Sequence, residues 1–388
     1  MAFSAALVFL AGCATRPSIT GLQVLARKGR PFVILKTDKA LGWGVANHPI
    51  LCRVSDKRIA LSYWIAGDGA YSGTAPVSWP VYSDDQGKTW QFGDPYEWAG
   101  EKPPPEYSFI EAGTDFANYN FGYFMAAAQL PSSERIAHAR YAVAGSPWTV
   151  AVVRSSDGIR WEGPVQAPIN IPSDYPYQPA GLAFEQKAVV TPGGNILVTA
   201  YWNEPFLFES RNRGASYDLV SVVATKADAP WGTEGPCEPS LALLPNGELL
   251  CIMRTGAPWT GTGTAVAQPL LAARSKDGGR TWEYQKMPIV GVMPKLELMS
   301  NGVLALATGR PGNRLYFSTD GGRTWGREVV LTRLDGKTSG YCDILEVAPG
   351  RLLAVCDTMD TDMTGFWLWE PKEVNGIFGV FVNVMKLF

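Results

Sequence analysis

The chain has 388 residues, a formal net charge of −2 and only 18% charged residues, against 46% hydrophobic and 12% aromatic. That balance offers no basic surface for nucleic acid, and 14 Trp, 41 Gly and 29 Pro describe a turn-rich all-β chain rather than a disordered or coiled one. The two histidines, His48 and His138, stand far apart, and neither a Cys-x-x-Cys pair nor a P-loop occurs, so no metal and no cofactor is expected.

At the N-terminus, Ala5–Leu10 is an apolar run too short to span a bilayer as a helix. It leads into Leu10-Ala11-Gly12-Cys13, which resembles the lipobox of bacterial lipoproteins. The resemblance implies a signal peptide over residues 1–13 and lipidation of Cys13. The chain would then sit in the bacterial cell envelope, lipid-anchored or exported, with the lipid as its only membrane contact. Residues 14–39 form an N-terminal segment, and residues 40–388 are expected as one domain because no Pro- or Ser-rich linker divides them. Of the later cysteines, Cys251 and Cys356 fall at similar places in different strands and are expected as buried packing, not as a disulfide.

Beyond residue 40 two signals alternate. Short apolar strands follow turn residues at Ile59–Trp64, Ile136–Tyr141, Ile196–Trp202, Leu249–Arg254, Val303–Arg310 and Leu352–Asp357. Between them recurs the turn Ser-x-Asp-x-Gly-x-Thr-Trp, at Ser83–Trp90, Ser275–Trp282 and Ser318–Trp325, with weaker copies at Ser155–Trp161 and Ser210–Tyr217. In such a turn the Asp or Asn oxygen accepts backbone N–H groups, Gly takes a positive φ and the aromatic pins the next strand. Six strand modules interleaved with five turns predict an all-β, six-bladed β-propeller of four-stranded antiparallel sheets. An irregular β-sandwich with the same turns is the alternative.

These turns carry a resemblance to the sialidase (neuraminidase) superfamily, with its BNR or Asp-box repeats, from about residue 40 to the C-terminus. The resemblance implies that the turns lie on the outer rim and that chemistry occurs at the axis. Polar residues at the ends of repeat strands are the candidates to meet there. Glu238 stands sixteen residues before Arg254, which ends its strand; Arg310 ends the matching strand one module on, and Tyr341 stands in the next. Arg314 is an alternative to Arg310.

The order Glu, Arg, Arg, Tyr resembles the catalytic half of sialidases. It implies that Arg254 and Arg310 grip a substrate carboxylate, that Tyr341 is the nucleophile and that Glu238 takes its proton. The first module departs from the pattern: Ala46-Asn47-His48-Pro49 has no Arg before the Pro, and Arg53 is only nearby. His48 either donates to the substrate in the arginine's stead, shuttles a proton, or is structural. Asp68, between Gly67 and Gly69, is the candidate acid/base, or a simple turn. The aromatic run Asn118–Phe124 either walls a sugar site or packs a sheet.

The resulting expectation is a monomeric, retaining exo-glycoside hydrolase whose partner is a glycan with a terminal acidic sugar. A polysaccharide lyase acting on a uronate polymer is one alternative, with Tyr341 or His48 as base and the arginines on the enolate. A sugar-binding propeller without catalysis is the other.

Overall fold

The computed structural model describes residues 24–36, 47–64, 81–101, 125–143, 148–175, 182–184, 186–202, 204–256, 267–310, 312–326, 328–332, 338–358 and 376–387. Among these the chain is all-β, with one short 3-10 turn at Lys226–Asp228. Its strands are the apolar runs that follow the turn residues: Leu304–Gly309 is buried at every position, and Leu249–Arg254 at all but the last. Runs without alternation belong to strands covered on both faces, here by the neighbouring sheets.

Three sheets are four-stranded and antiparallel. They begin at Asn47–Arg53, Cys237–Leu243 and Val292–Leu298. A further sheet is built from Cys342–Ala348, Arg351–Thr358 and Gly376–Lys386. Val24–Lys28 and Phe32–Lys36 both pair antiparallel with Gly376–Lys386, so the segment before residue 40 supplies strands to the last sheet. Joining the two ends of the chain in one sheet closes a ring without leaving the ends as free edges.

Where six separate four-stranded sheets were expected, hydrogen bonding gives five sheets, one of them nine-stranded. The physical reason is local. Ile169 and Asn170 pair in parallel with Tyr217 and Asp218, which fuses two antiparallel runs at their outer strands. Glu97–Trp98 adds to the same edge through Arg160 and Trp161.

The aspartate turns form the knots their sequence predicts. In Ser275–Trp282, Ser275 Oγ donates to Asp277 at 2.7 Å and accepts Gly279 N–H at 2.8 Å. The same carboxylate takes Thr281 N–H at 3.0 Å and the Thr281 hydroxyl at 2.6 Å. The copy with Asn212 repeats the pattern with Ser210 and Gly214. Gly279 is required here: at φ +89, a Cβ on it would meet Leu207 of the neighbouring sheet at 2.1 Å. The turn is thus a wedge between sheets as well as a cap on its own hairpin.

Three first strands open with one shared irregularity. Pairing runs Asn47 with Trp64 and then jumps to Ile50 with Ser62; the same jump follows Cys237–Arg254 and Val292–Gly309. Within each jump, the residue before a proline is left-handed: His48 at φ 54°, Glu238 at φ 50° and Met293 at φ 44°. A bulge is where a sheet tolerates proline, which has no N–H to donate. Left-handed backbone at a non-glycine residue costs about 1–3 kcal/mol and collects where side chains must be aimed.

Candidate active site

Two of those bulges bring their side chains, His48 and Glu238, to Tyr341, and the third gives its Met293 N–H to Glu238. The first strands pack against one another, as side-chain bonds across sheets show: Leu51 N–H donates to Asp343 at 2.8 Å, and Leu296 N–H to Ser240 Oγ at 2.9 Å. Glu238, Arg254, Arg310, Tyr341 and His48 converge at the start of these strands.

At the centre is Glu238, only 4% exposed. Its Oε1 accepts the Tyr341 hydroxyl at 2.9 Å and Arg254 Nη1 at 2.8 Å, while Oε2 accepts Met293 N–H at 2.6 Å. Arg254 Nη1 lies 3.4 Å from the Tyr341 oxygen, so phenol, carboxylate and guanidinium form a closed triangle. Burial would lower the Arg254 pKa, but Glu238, Tyr341, Cys237 and Glu234 together drive it well above its ordinary value. Arg254 is a fixed cation.

Arg310 also lies over Tyr341, its guanidinium carbon 5.2 Å from the centre of the ring. Its Nε donates to Ser339 O at 2.8 Å. This placement depends on a backbone contact: a Cβ on Gly309 would fall 1.9 Å from Gly340 O. Two glycines let the Arg310 strand end lie against the turn that carries Tyr341.

His48 packs its ring on Tyr341, with centroids 4.2 Å apart and planes tilted by 54°. Its backbone N–H donates to Asp357 at 3.1 Å. The same buried carboxylate accepts Ser339 N–H at 2.8 Å, Thr338 Oγ1 at 2.6 Å and Ser339 Oγ. Ser339 Oγ in turn accepts Tyr341 N–H at 3.1 Å. Burial pushes the Asp357 carboxyl above the usual range, against the pull of those hydrogen bonds. Asp357 therefore ties the His48 bulge and the Tyr341 turn together.

Arg314, the alternative to Arg310, pairs with Glu328 at 2.9 Å on its own sheet, apart from Tyr341. Arg53 bonds the Glu346 carbonyl. Asp68, Cys13 and the run Asn118–Phe124 lie outside the described residues. Among the described residues no group of three His, Cys, Asp or Glu side chains is placed to hold a metal ion.

Sequence reasoning missed Glu234, Met293, Ser339 and Asp357. Glu234 Oε1 lies 2.7 Å from Arg254 Nη2. A signal for Met293 was present, since Met293-Pro294 repeats the dipeptide pattern of His48-Pro49 and Glu238-Pro239. Asp357 stands one residue from the end of its strand, close to where Arg254 ends its own, and could have been read as a residue near the axis.

The family model described as BNR repeat-like domain matches residues 136–354, and that of the BNR/Asp-box repeat matches residues 81–92. No curated protein matches the sequence. Among solved structures, a protein of unknown function from Dyadobacter fermentans DSM 18053 is similar at 19% identity and a TM-score of 0.63, over 93% of this chain and 99% of that one. The α-L-arabinofuranosidase Arb93A from Fusarium graminearum is similar at 13% identity and a TM-score of 0.58, over 92% and 98% of the two chains. The NanB sialidase from Streptococcus pneumoniae is similar at 12% identity and a TM-score of 0.57, over 92% of this chain and 70% of that one. At such identities the likeness is one of fold.

Proposed function

The chain belongs to the BNR repeat-like family within the sialidase superfamily, and from that premise we propose that it is a retaining exo-glycoside hydrolase acting on a terminal acidic sugar. The observation that carries the reading is the bond from the Tyr341 hydroxyl to Glu238 Oε1 at 2.9 Å. A phenol held by a buried carboxylate is a nucleophile beside its base. Taking the two antiparallel runs of the nine-stranded sheet separately would give six blades, with this pair expected at their hub.

The chemistry follows in two steps. Tyr341 Oη attacks the anomeric carbon as its proton passes to Glu238, and the bond to the aglycone oxygen breaks. Asp68, as general acid, gives that oxygen a proton. Water then attacks the same carbon, Asp68 takes a proton from it, and the Tyr341 oxygen leaves and recovers its proton from Glu238. Two inversions retain configuration. Arg254 and Arg310 would hold the substrate carboxylate by charge-assisted bonds, and Arg254 would also lower the cost of charge on the phenol oxygen. His48, packed at a tilt against the ring, would limit its rotation.

With the lipobox-like segment as signal and Cys13 as lipid anchor, this activity would lie at the bacterial envelope, where extracellular glycans are within reach. Release of fluorophore from a methylumbelliferyl sialoside tests the reaction. Wild-type turnover that falls at least ~100-fold in Tyr341→Phe agrees with it. Inertness toward glycosides, with growth of the ultraviolet band of an unsaturated uronate, would replace it with the lyase.

A further inference from the structure

We infer that Glu234 is a built-in competitor of the substrate carboxylate, occupying the outward edge of Arg254; the inference rests on the hydrolase reading of the same site. Arg254 has two carboxylate partners. Glu238, 5% exposed at its side chain, binds Nη1 from within at 2.8 Å, and Glu234, 44% exposed, binds Nη2 at 2.7 Å. The edge a ligand would use is therefore already taken by the residue nearer to solvent.

The charge balance points the same way. Arg254 and Arg310 give +2 and Glu234 and Glu238 give −2, so these four side chains sum to zero before any ligand enters. An added substrate carboxylate would make the group net negative in a partly desolvated place, which is unfavourable unless one carboxylate moves away. Glu234 is the one able to move. Its main chain is pinned, with its N–H donating to Thr255 O at 3.3 Å and its carbonyl accepting Lys226 Nζ at 2.9 Å. Its carboxylate is half-exposed, so on leaving the buried Arg254 it can turn to water, which the 5%-exposed Glu238 cannot do.

Glu238 already fixes Arg254 from below, and so Glu234 is not needed to position it. Binding becomes an exchange of one carboxylate for another at Arg254 Nη2. Glu234 thereby sets specificity: it weakens capture of acidic sugars and leaves neutral groups largely unaffected.

The test is Glu234→Gln, which keeps the shape and removes the charge. On methylumbelliferyl sialoside the inference expects KM to fall about tenfold, the size of one exchanged charge-assisted contact, with kcat within about twofold. Calorimetric binding of free N-acetylneuraminic acid should tighten by the same factor. A KM and a Kd that rise or stay unchanged would overturn it and make Glu234 a positioning residue. If neither wild type nor variant turns over any glycoside, the hydrolase reading fails, and the calorimetric comparison alone decides the role of Glu234.

Discussion

Glu238 Oε1 accepts the Tyr341 hydroxyl at 2.9 Å across 103 residues of sequence, and both residues leave their strands at the same end of the ring. The second oxygen of Glu238 is fixed by Met293 N–H, so the first cannot turn away from the phenol. Substituting Glu238→Gln keeps the side chain's shape and removes the proposed base, and it sets an amide NH2 where one of the two oxygens accepted. We expect kcat to drop by about 10²- to 10⁴-fold, together with a stability loss of about 1–3 kcal/mol from the mismatched donor. Steady-state kinetics beside thermal unfolding checks both halves.

Asp357 governs the turn rather than the chemistry. Asp357→Asn should cost about 1–3 kcal/mol, because a carboxylate that gathers Thr338, Ser339 and the His48 N–H is replaced by a group that cannot accept from all of them. Its raised pKa carries a sign. The native state binds the proton more tightly than the unfolded chain, so this group's contribution to stability declines as pH rises from the unfolded carboxylate value to the raised one, then stays level. Urea unfolding over that window should slope less in Asp357→Asn than in wild type.

The aspartate turns act in the opposite direction. Asp320 is held below its ordinary pKa: burial opposes this, but bonds from Thr324, Ser318 and Arg323 outweigh it. Hydrogen bonds from Thr281 and Ser275 do the same at Asp277. Such groups add stability above the unfolded carboxylate pKa, and it is lost as pH falls through the folded values. Asp320→Ala should therefore lower stability by about 1–3 kcal/mol and flatten the acid limb, while kcat stays near wild type. Chemical denaturation at pH 7 and pH 3.5 measures this.

Gly309→Ala places a methyl 1.9 Å from Gly340 O. The backbones must separate, moving Arg310 away from the Tyr341 ring. We expect a loss of about 1–3 kcal/mol together with a rise in KM, since Arg310 is assigned to binding. Unchanged KM in a folded variant would show that Arg310 lies off the substrate path.

Much of this was legible because the repeat signals are local. An Asp or Asn two residues after Ser writes its own hydrogen bonds, so even the copy at Asn212 could be read as a turn. Arg254 and Arg310 were legible as strand ends, since strand length and module spacing fix where a strand stops. Partners chosen by tertiary approach were not. Nothing in Glu234-Gly235-Pro236-Cys237 says that its first residue reaches Arg254 Nη2. The pairing of Val24–Lys28 with the far end of the chain leaves no local mark either, because ring closure is a property of the whole sequence. The parallel contact between Ile169 and Tyr217 is likewise set by how two sheets meet.

The assignment of Tyr341 as nucleophile is tested most directly by mass spectrometry of peptides from enzyme treated with a fluorinated sialosyl donor, which slows the second step. The account predicts one glycosyl adduct, on the peptide that contains Tyr341 and absent in Tyr341→Phe. An adduct on a carboxylate side chain, or brisk turnover by Tyr341→Phe, would contradict it.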